Sequence, residues 1–214
     1  LRDAARAEGA APGGETDCLL ICLANLSDPG MIVLPTHRLL MKTGSSLPEA
    51  LRRLENLYDV EEAPDPGPGA GPGVEDVLKG MGADGKRTAF CLSGGRGTLH
   101  YLLRRHDTAA GKIDSPEAAV STLDVSRLHS EVLEKAFGVS KEEAAMEFTP
   151  DPEAALSAAR EGICSVAFLL NPTPIEAVTQ IARAGGRMPQ KSTYFYPKLR
   201  TGLVMHAFAP PATD

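Results

Sequence analysis

The chain has 214 residues, 43% hydrophobic and 23% charged, with a formal net charge of −6. That length allows one large domain or two small ones with a buried core. The acidic balance and a pI near 5.4 argue against general nucleic-acid binding. With 5% aromatics and no tryptophan there is no stacking platform for single strands. No apolar run approaches the ~18–20 residues of a membrane span.

Leu1 to Glu8 reads as the end of a helix and not as a signal peptide, and the glycines and proline that follow stop it. Residues 1–16 are therefore expected to be the tail of an upstream helix plus a linker. Leu19–Ala24 is a continuous apolar run, expected as a strand buried on both faces. Ser27-Asp-Pro-Gly30 is a turn, with Asp to start it, Pro to set φ and Gly to close it. Met31–Leu34 reads as the returning strand, paired antiparallel to the first. Thr36, His37 and Arg38 stand at its end, where a His beside an Arg can bind phosphate or relay a proton. The same triplet also fits a water-exposed sheet edge.

Ser46 is the expected N-cap of a helix with Leu47, Leu51, Leu54 and Leu57 as its apolar stripe. Residues 63–73 are almost all proline, glycine and alanine and are read as a surface loop. A short helix is expected over Val74–Met81, and two strands over Thr88–Leu92 and Thr98–Leu103, joined by a Gly-rich hairpin turn. Pro116–Leu123 and Val125–Phe137 read as helices, the second ended by Gly138. Then come a strand (Ala145–Thr149), a helix capped by Asp151, a buried strand (Cys164–Leu170), a helix (Pro174–Ala184) and a last strand (Gly202–Phe208). Strand and helix alternation implies parallel pairing. The expected fold is α/β: a single domain over 17–208 with a mixed, mainly parallel sheet in its C-terminal half, helices on its faces, and a tail without fixed structure at 209–214.

Cys18, Cys22, Cys91 and Cys164 follow no zinc or redox spacing. Lying in or beside apolar runs, they are read as reduced, packed thiols, which fits a cytoplasmic protein. The histidines show no metal-ligand spacing, so no metal site is assigned.

The strongest functional signal is charge placement. Between Glu176 and Asp214 this acidic chain has no carboxylate, yet it carries Arg183, Arg187, Lys191, Lys198 and Arg200. Lys191, Ser192 and Thr193 put an ammonium beside two hydroxyls, and Tyr194 can add a further donor. Arg187 and Lys198 flank them. Phosphate or carboxylate recognition uses this mixture, and the same residues also fit an ordered loop with solvated cations. It is not a P-loop, because the glycine frame is missing. Asn171 and Thr173 follow the strand ending at Leu170. There they are placed either to meet a ligand at the C-terminal end of a parallel strand or to cap the next helix.

Three segments, Ser27–Arg38, Phe168–Pro174 and Met188–Lys198, together resemble the DUF 1015 family of bacteria and archaea, in order and spacing from about Asp17 to Met205. The resemblance gives no established activity. Full members carry an upstream Asp-Gly-His-His-Arg segment similar to one in ParB/sulfiredoxin-like proteins, some of which are nucleotide-dependent small-molecule kinases. The resemblance implies a C-terminal fragment of a phosphotransferase-like enzyme, using ATP or ADP with magnesium in the intact protein. Lys191, Ser192 and Thr193 would hold phosphate oxygens, and Arg187 or Lys198 would neutralise charge. The other open readings are a non-catalytic binder of a small anionic ligand and a structural domain that docks the missing upstream half or forms a homodimer.

Overall fold

The computed structural model describes residues 2–9, 17–63, 78–82, 88–94, 100–106, 115–140 and 146–206. They fall into two compact units, Leu1–Ile32 with Pro197–Asp214, and Val33–Tyr196.

The first unit contains helix α1 (Arg2–Ala7). The run expected as a buried strand, Leu19–Ala24, is instead irregular and pairs with nothing among the described residues. Leu19, Ile21 and Leu23 are exposed, at 82%, 64% and 88%. Cys18 and Cys22 are likewise exposed free thiols, contrary to the packed thiols expected. An apolar run is necessary for a buried strand but supplies no partner for its backbone groups. The last expected strand is also absent, because residues 202–206 are irregular and Phe208 lies outside the described residues.

The second unit is a six-stranded sheet with helices on both faces. Its strands are β2 (His37–Leu40), β3 (Tyr58–Ala63), β4 (Ala89–Gly94), β5 (His100–Arg105), β6 (Met146–Thr149) and β7 (Val166–Leu170), in the order β3-β5-β4-β7-β2-β6. A separate two-stranded pair joins β1 (Ile32–Leu34) to β8 (Tyr194–Tyr196). Thus β1 returns to the far end of the chain and not to Leu19–Ala24.

Every neighbouring pair in the large sheet is antiparallel. This corrects the expected mainly parallel sheet, and the reason is visible in the register. β6 and β7 do run in the same direction, as strand-helix-strand connection implies, but β2 lies between them and is antiparallel to both. The continuous apolar runs reflect burial on two faces, which helices provide here without parallel pairing. In β7, Val166, Phe168 and Leu170 enter one core while Ala167 and Leu169 enter the other.

The first core is roofed by α2 (Leu47–Leu54), α4 (Asp124–Arg127, continuing as π-helical turns over Leu128–Ala136) and α6 (Ile175–Arg183). The predicted stripe is present, with Leu51 and Leu54 buried and Leu47 and Leu57 packed against them. Each fully buried side chain of this size stabilises the fold by about 1.5–3 kcal/mol. A Cβ on Gly44 would lie 2.8 Å from the Gly138 carbonyl oxygen, so only glycine lets this loop meet the end of α4. Gly138 has φ +67, the left-handed C-terminal stop expected for it.

The second core is covered by α5 (Pro152–Arg160), through Ala155, Leu156 and Ala159. Asp151 caps α5 as expected, accepting from Glu153 N at 2.9 Å and Ala154 N at 3.3 Å. Helix α3 (Pro116–Ser121) is capped by Ser115. Residues 78–82 are helical, and the proline–glycine run from 64 onward, the turn at 95–99 and the tail at 209–214 lie outside the described residues. The strand β3 was not expected. Its Tyr58-Asp-Val-Glu alternation carried the signal, overshadowed by the glutamates.

Candidate functional site

Strand β2 places two buried polar residues side by side. Adjacent strand residues point to opposite faces, so His37 and Arg38 do not converge on one ligand. Both are buried, at 0% and 1% exposure, which overturns the reading of this triplet as a water-exposed edge.

The His37 Nδ1 accepts from Leu170 N at 3.2 Å, so the neutral ring carries its proton on Nε2. That Nε2 is buried without a hydrogen-bond partner. Burial first, and then the Arg38 charge, lower its pKa from 6.5 to about 4, against an opposing pull from Asp151.

Arg38 lies on the other face. Its Nη1 donates to the Thr36 carbonyl, and its Nη2 donates to the Lys191 carbonyl at 3.0 Å. Its Nε is buried and unpaired. Burial alone lowers its pKa to about 10, and no carboxylate among the described residues neutralises it. Phe148, opposite Arg38 in the β2–β6 register, has its ring centroid 5.8 Å from the guanidinium.

The predicted loop folds onto this arrangement. Thr173 Oγ1 donates to the Ser192 carbonyl at 2.7 Å, and the buried Ser192 hydroxyl donates to Pro189 O at 2.6 Å. Lys191, between these anchors, has φ +57, the one non-glycine in the left-handed region among the described residues. Such a conformation costs of order 1 kcal/mol and persists where surrounding contacts impose it. Its ammonium reaches out to 5.9 Å from the same Phe148 ring. Two cations therefore share one aromatic ring.

The predicted site residues divide accordingly. Arg38, Thr173 and Ser192 hold the loop, Lys191 projects from it, and Thr193 is half-buried next to it. Thr36 contributes a carbonyl. Asn171 makes only a long contact, 3.4 Å to Met81 O, and neither it nor Thr173 caps α6, whose N-cap is Pro174. Tyr194 lies in β8. Lys198 belongs to the first unit, and the cluster is built without it. Arg187 lines a different place, an open pocket of about 630 Å³ beside α3 and α4.

A second polar network was not foreseen. Tyr58 Oη donates to Glu131 at 2.5 Å, and Arg105 Nε and Nη2 donate to the same carboxylate at 3.2–3.3 Å. Burial raises the Glu131 pKa, but the hydrogen bonds from Tyr58 and Arg105, with the charges of Arg105 and Arg127, outweigh it and hold the carboxyl below its usual range. Nearby, Thr88 Oγ1 donates to Asp124 at 2.8 Å, and burial pushes that carboxyl up. No spacing in the sequence joins 58, 105 and 131.

Among the described residues no group of three or more His, Cys, Asp or Glu could hold a metal ion. No described helix is long and apolar enough to cross a membrane.

No curated protein and no solved structure matches the chain. Residues 1–126 match the family described as Protein of unknown function (DUF1015), and Phe168–Pro174 and Met188–Lys198 lie beyond that match. Covering more than half of the 214 residues, the match shows that this chain belongs to the DUF1015 family.

Proposed function

We propose that the Arg38–Lys191–Phe148 cluster binds a small anion, a phosphate or carboxylate group on a metabolite. The supporting observation is a buried guanidinium with an unpaired Nε and no carboxylate partner among the described residues. Buried charges are normally paired. Here the guanidinium donates to two backbone carbonyls, and a second cation, Lys191, is held at the surface over the same ring. An anion beside Lys191 would relieve both. Lys191 would make the contact, Thr193 would add a hydroxyl, and Arg38 would supply field and hold the loop in place.

The chemistry this recognition would serve is phosphoryl transfer from ATP or ADP with magnesium, as the family resemblance implies. There, a fixed ammonium would stabilise charge on the transferring oxygens. Non-catalytic anion binding uses the same contacts.

Calorimetric titration of inorganic phosphate, and of ATP and ADP with magnesium, tests the reading. Binding that weakens about tenfold or more in Lys191→Ala, a loss of about 1.4 kcal/mol or more, supports it. Binding equal in both proteins, or absent from both, removes it.

A further inference from the structure

The pocket that takes Arg187 has its own chemistry. Its volume, about 630 Å³, is that of a small-molecule site. One wall is Gly185–Arg187, the loop after α6, and neither Lys191 nor its neighbours take part. Helix α3 lines it with Glu117, Val120 and Ser121, and α4 adds Ser126 and Ser130. The walls are built by contact. A Cβ on Gly186 would sit 2.8 Å from Pro116 Cβ and 3.0 Å from Ile181 Cγ2, so the loop lies directly on the start of α3.

The polar groups fall into an unequal set. Arg187 and Glu117 are both exposed, and neither makes a hydrogen bond or ion pair among the described residues. Ser121 Oγ donates to Ala118 O at 2.8 Å and Ser130 Oγ donates to Ser126 O at 3.0 Å. With their protons on helix carbonyls, both hydroxyl oxygens keep lone pairs that can accept from a ligand. The pocket lining thus combines one planar cation with one carboxylate and hydroxyl oxygens able to accept.

We propose that this pocket binds a small zwitterion. Its carboxylate or phosphate lies against the Arg187 guanidinium, which presents paired donors to such a group. Its protonated nitrogen lies toward Glu117 and the hydroxyl oxygens of Ser121 and Ser130. Val120 supplies apolar contact for the carbon chain between. A simple anion would leave Glu117 unmet, and its carboxylate would repel it. A simple cation would meet the same opposition from Arg187.

Titration of the full chain with matched probes tests this. γ-Aminobutyrate is compared with butyrate and butylamine, and phosphoethanolamine with ethyl phosphate and glycerol phosphate. The zwitterions should bind about tenfold or more tightly than their counterparts that carry charge of one sign only. In a Lys191→Ala background, where the anion cluster is silenced, Glu117→Gln should abolish that preference and bind butyrate at least as tightly as its parent does, and Arg187→Gln should remove binding of the anions. Both positions are exposed, so both variants should keep the wild-type circular dichroism and melting behaviour. Lys191→Ala alone should keep the preference for each zwitterion over its matched anion, which separates this pocket from the anion cluster. Equal affinity for γ-aminobutyrate and butyrate, tighter binding of glycerol phosphate than of phosphoethanolamine, no zwitterion binding, or a Glu117→Gln variant that keeps the preference would each overturn the proposal.

Discussion

Arg38 Nη2 donates to the Lys191 carbonyl oxygen at 3.0 Å, a bond between residues 153 positions apart. It ties a central strand to a surface loop. Arg38→Met would leave the Thr36 and Lys191 carbonyls without this donor. The expected loss is about 2–4 kcal/mol of stability, from buried groups left unsatisfied. Amide exchange near residues 188–193 should quicken together with the loss in denaturant midpoint. If the midpoint falls and exchange in the loop does not change, Arg38 does not anchor the loop.

Lys191 holds a left-handed backbone for which its side chain gives no conformational reason. Lys191→Gly should therefore raise stability by up to about 0.5 kcal/mol, the relief of φ strain reduced by the entropy glycine gains when unfolded. The same variant should bind phosphate less well than the wild type. Opposite changes in stability and affinity would separate the side chain's role from the backbone's. A destabilised Lys191→Gly would refute the strain argument.

His37 makes stability depend on pH. Its folded pKa is near 4 and its ordinary value 6.5, so the unfolded chain takes up the proton first as pH falls. The contribution is complete above about pH 6.5 and declines from there toward pH 4, by about 3 kcal/mol in total. Urea denaturation between pH 7.5 and pH 4 should show this decline, and His37→Gln should flatten it.

Glu131 acts at lower pH. Its folded pKa is depressed below 4.5, so its contribution is present above that value and is lost as pH falls through the folded pKa. Glu131→Gln at neutral pH should cost about 1–3 kcal/mol, because Arg105 and Tyr58 both lose this carboxylate as an acceptor. The variant should also show a shallower acid limb below about pH 4 than the wild type. A loss of stability with an unchanged acid limb would assign Glu131 a packing role only.

Local pattern carried much of the fold. The Leu47–Leu57 stripe, the Asp151 cap, the Gly138 stop and the apolar run of β7 each reflect physics confined to a few neighbouring residues, and each element is where those signals lie. Leu19–Ala24 shows the limit. Its composition suits a buried strand, yet burial requires a partner surface that no local pattern specifies. Strand direction shows the same limit. A run buried on both faces looks alike in parallel and antiparallel sheets, and only the insertion of β2 between β6 and β7 decided the pairing.

The site divides in the same way. The run of cations without carboxylates after Glu176 was legible, because net local charge is additive along the chain. What each residue does was not. Thr173, Ser192 and Arg38 became supports for the loop, Arg187 joined α3 and α4 at a separate pocket, and Tyr58, Arg105 and Glu131 met from three distant elements. Composition by itself determined that this acidic protein concentrates positive charge in one late segment. Tertiary structure alone decided that Lys191 is held on a fixed loop beside the buried Arg38 while Arg187 opens onto a separate pocket, because hydrogen-bond partners come from packing and not from adjacency.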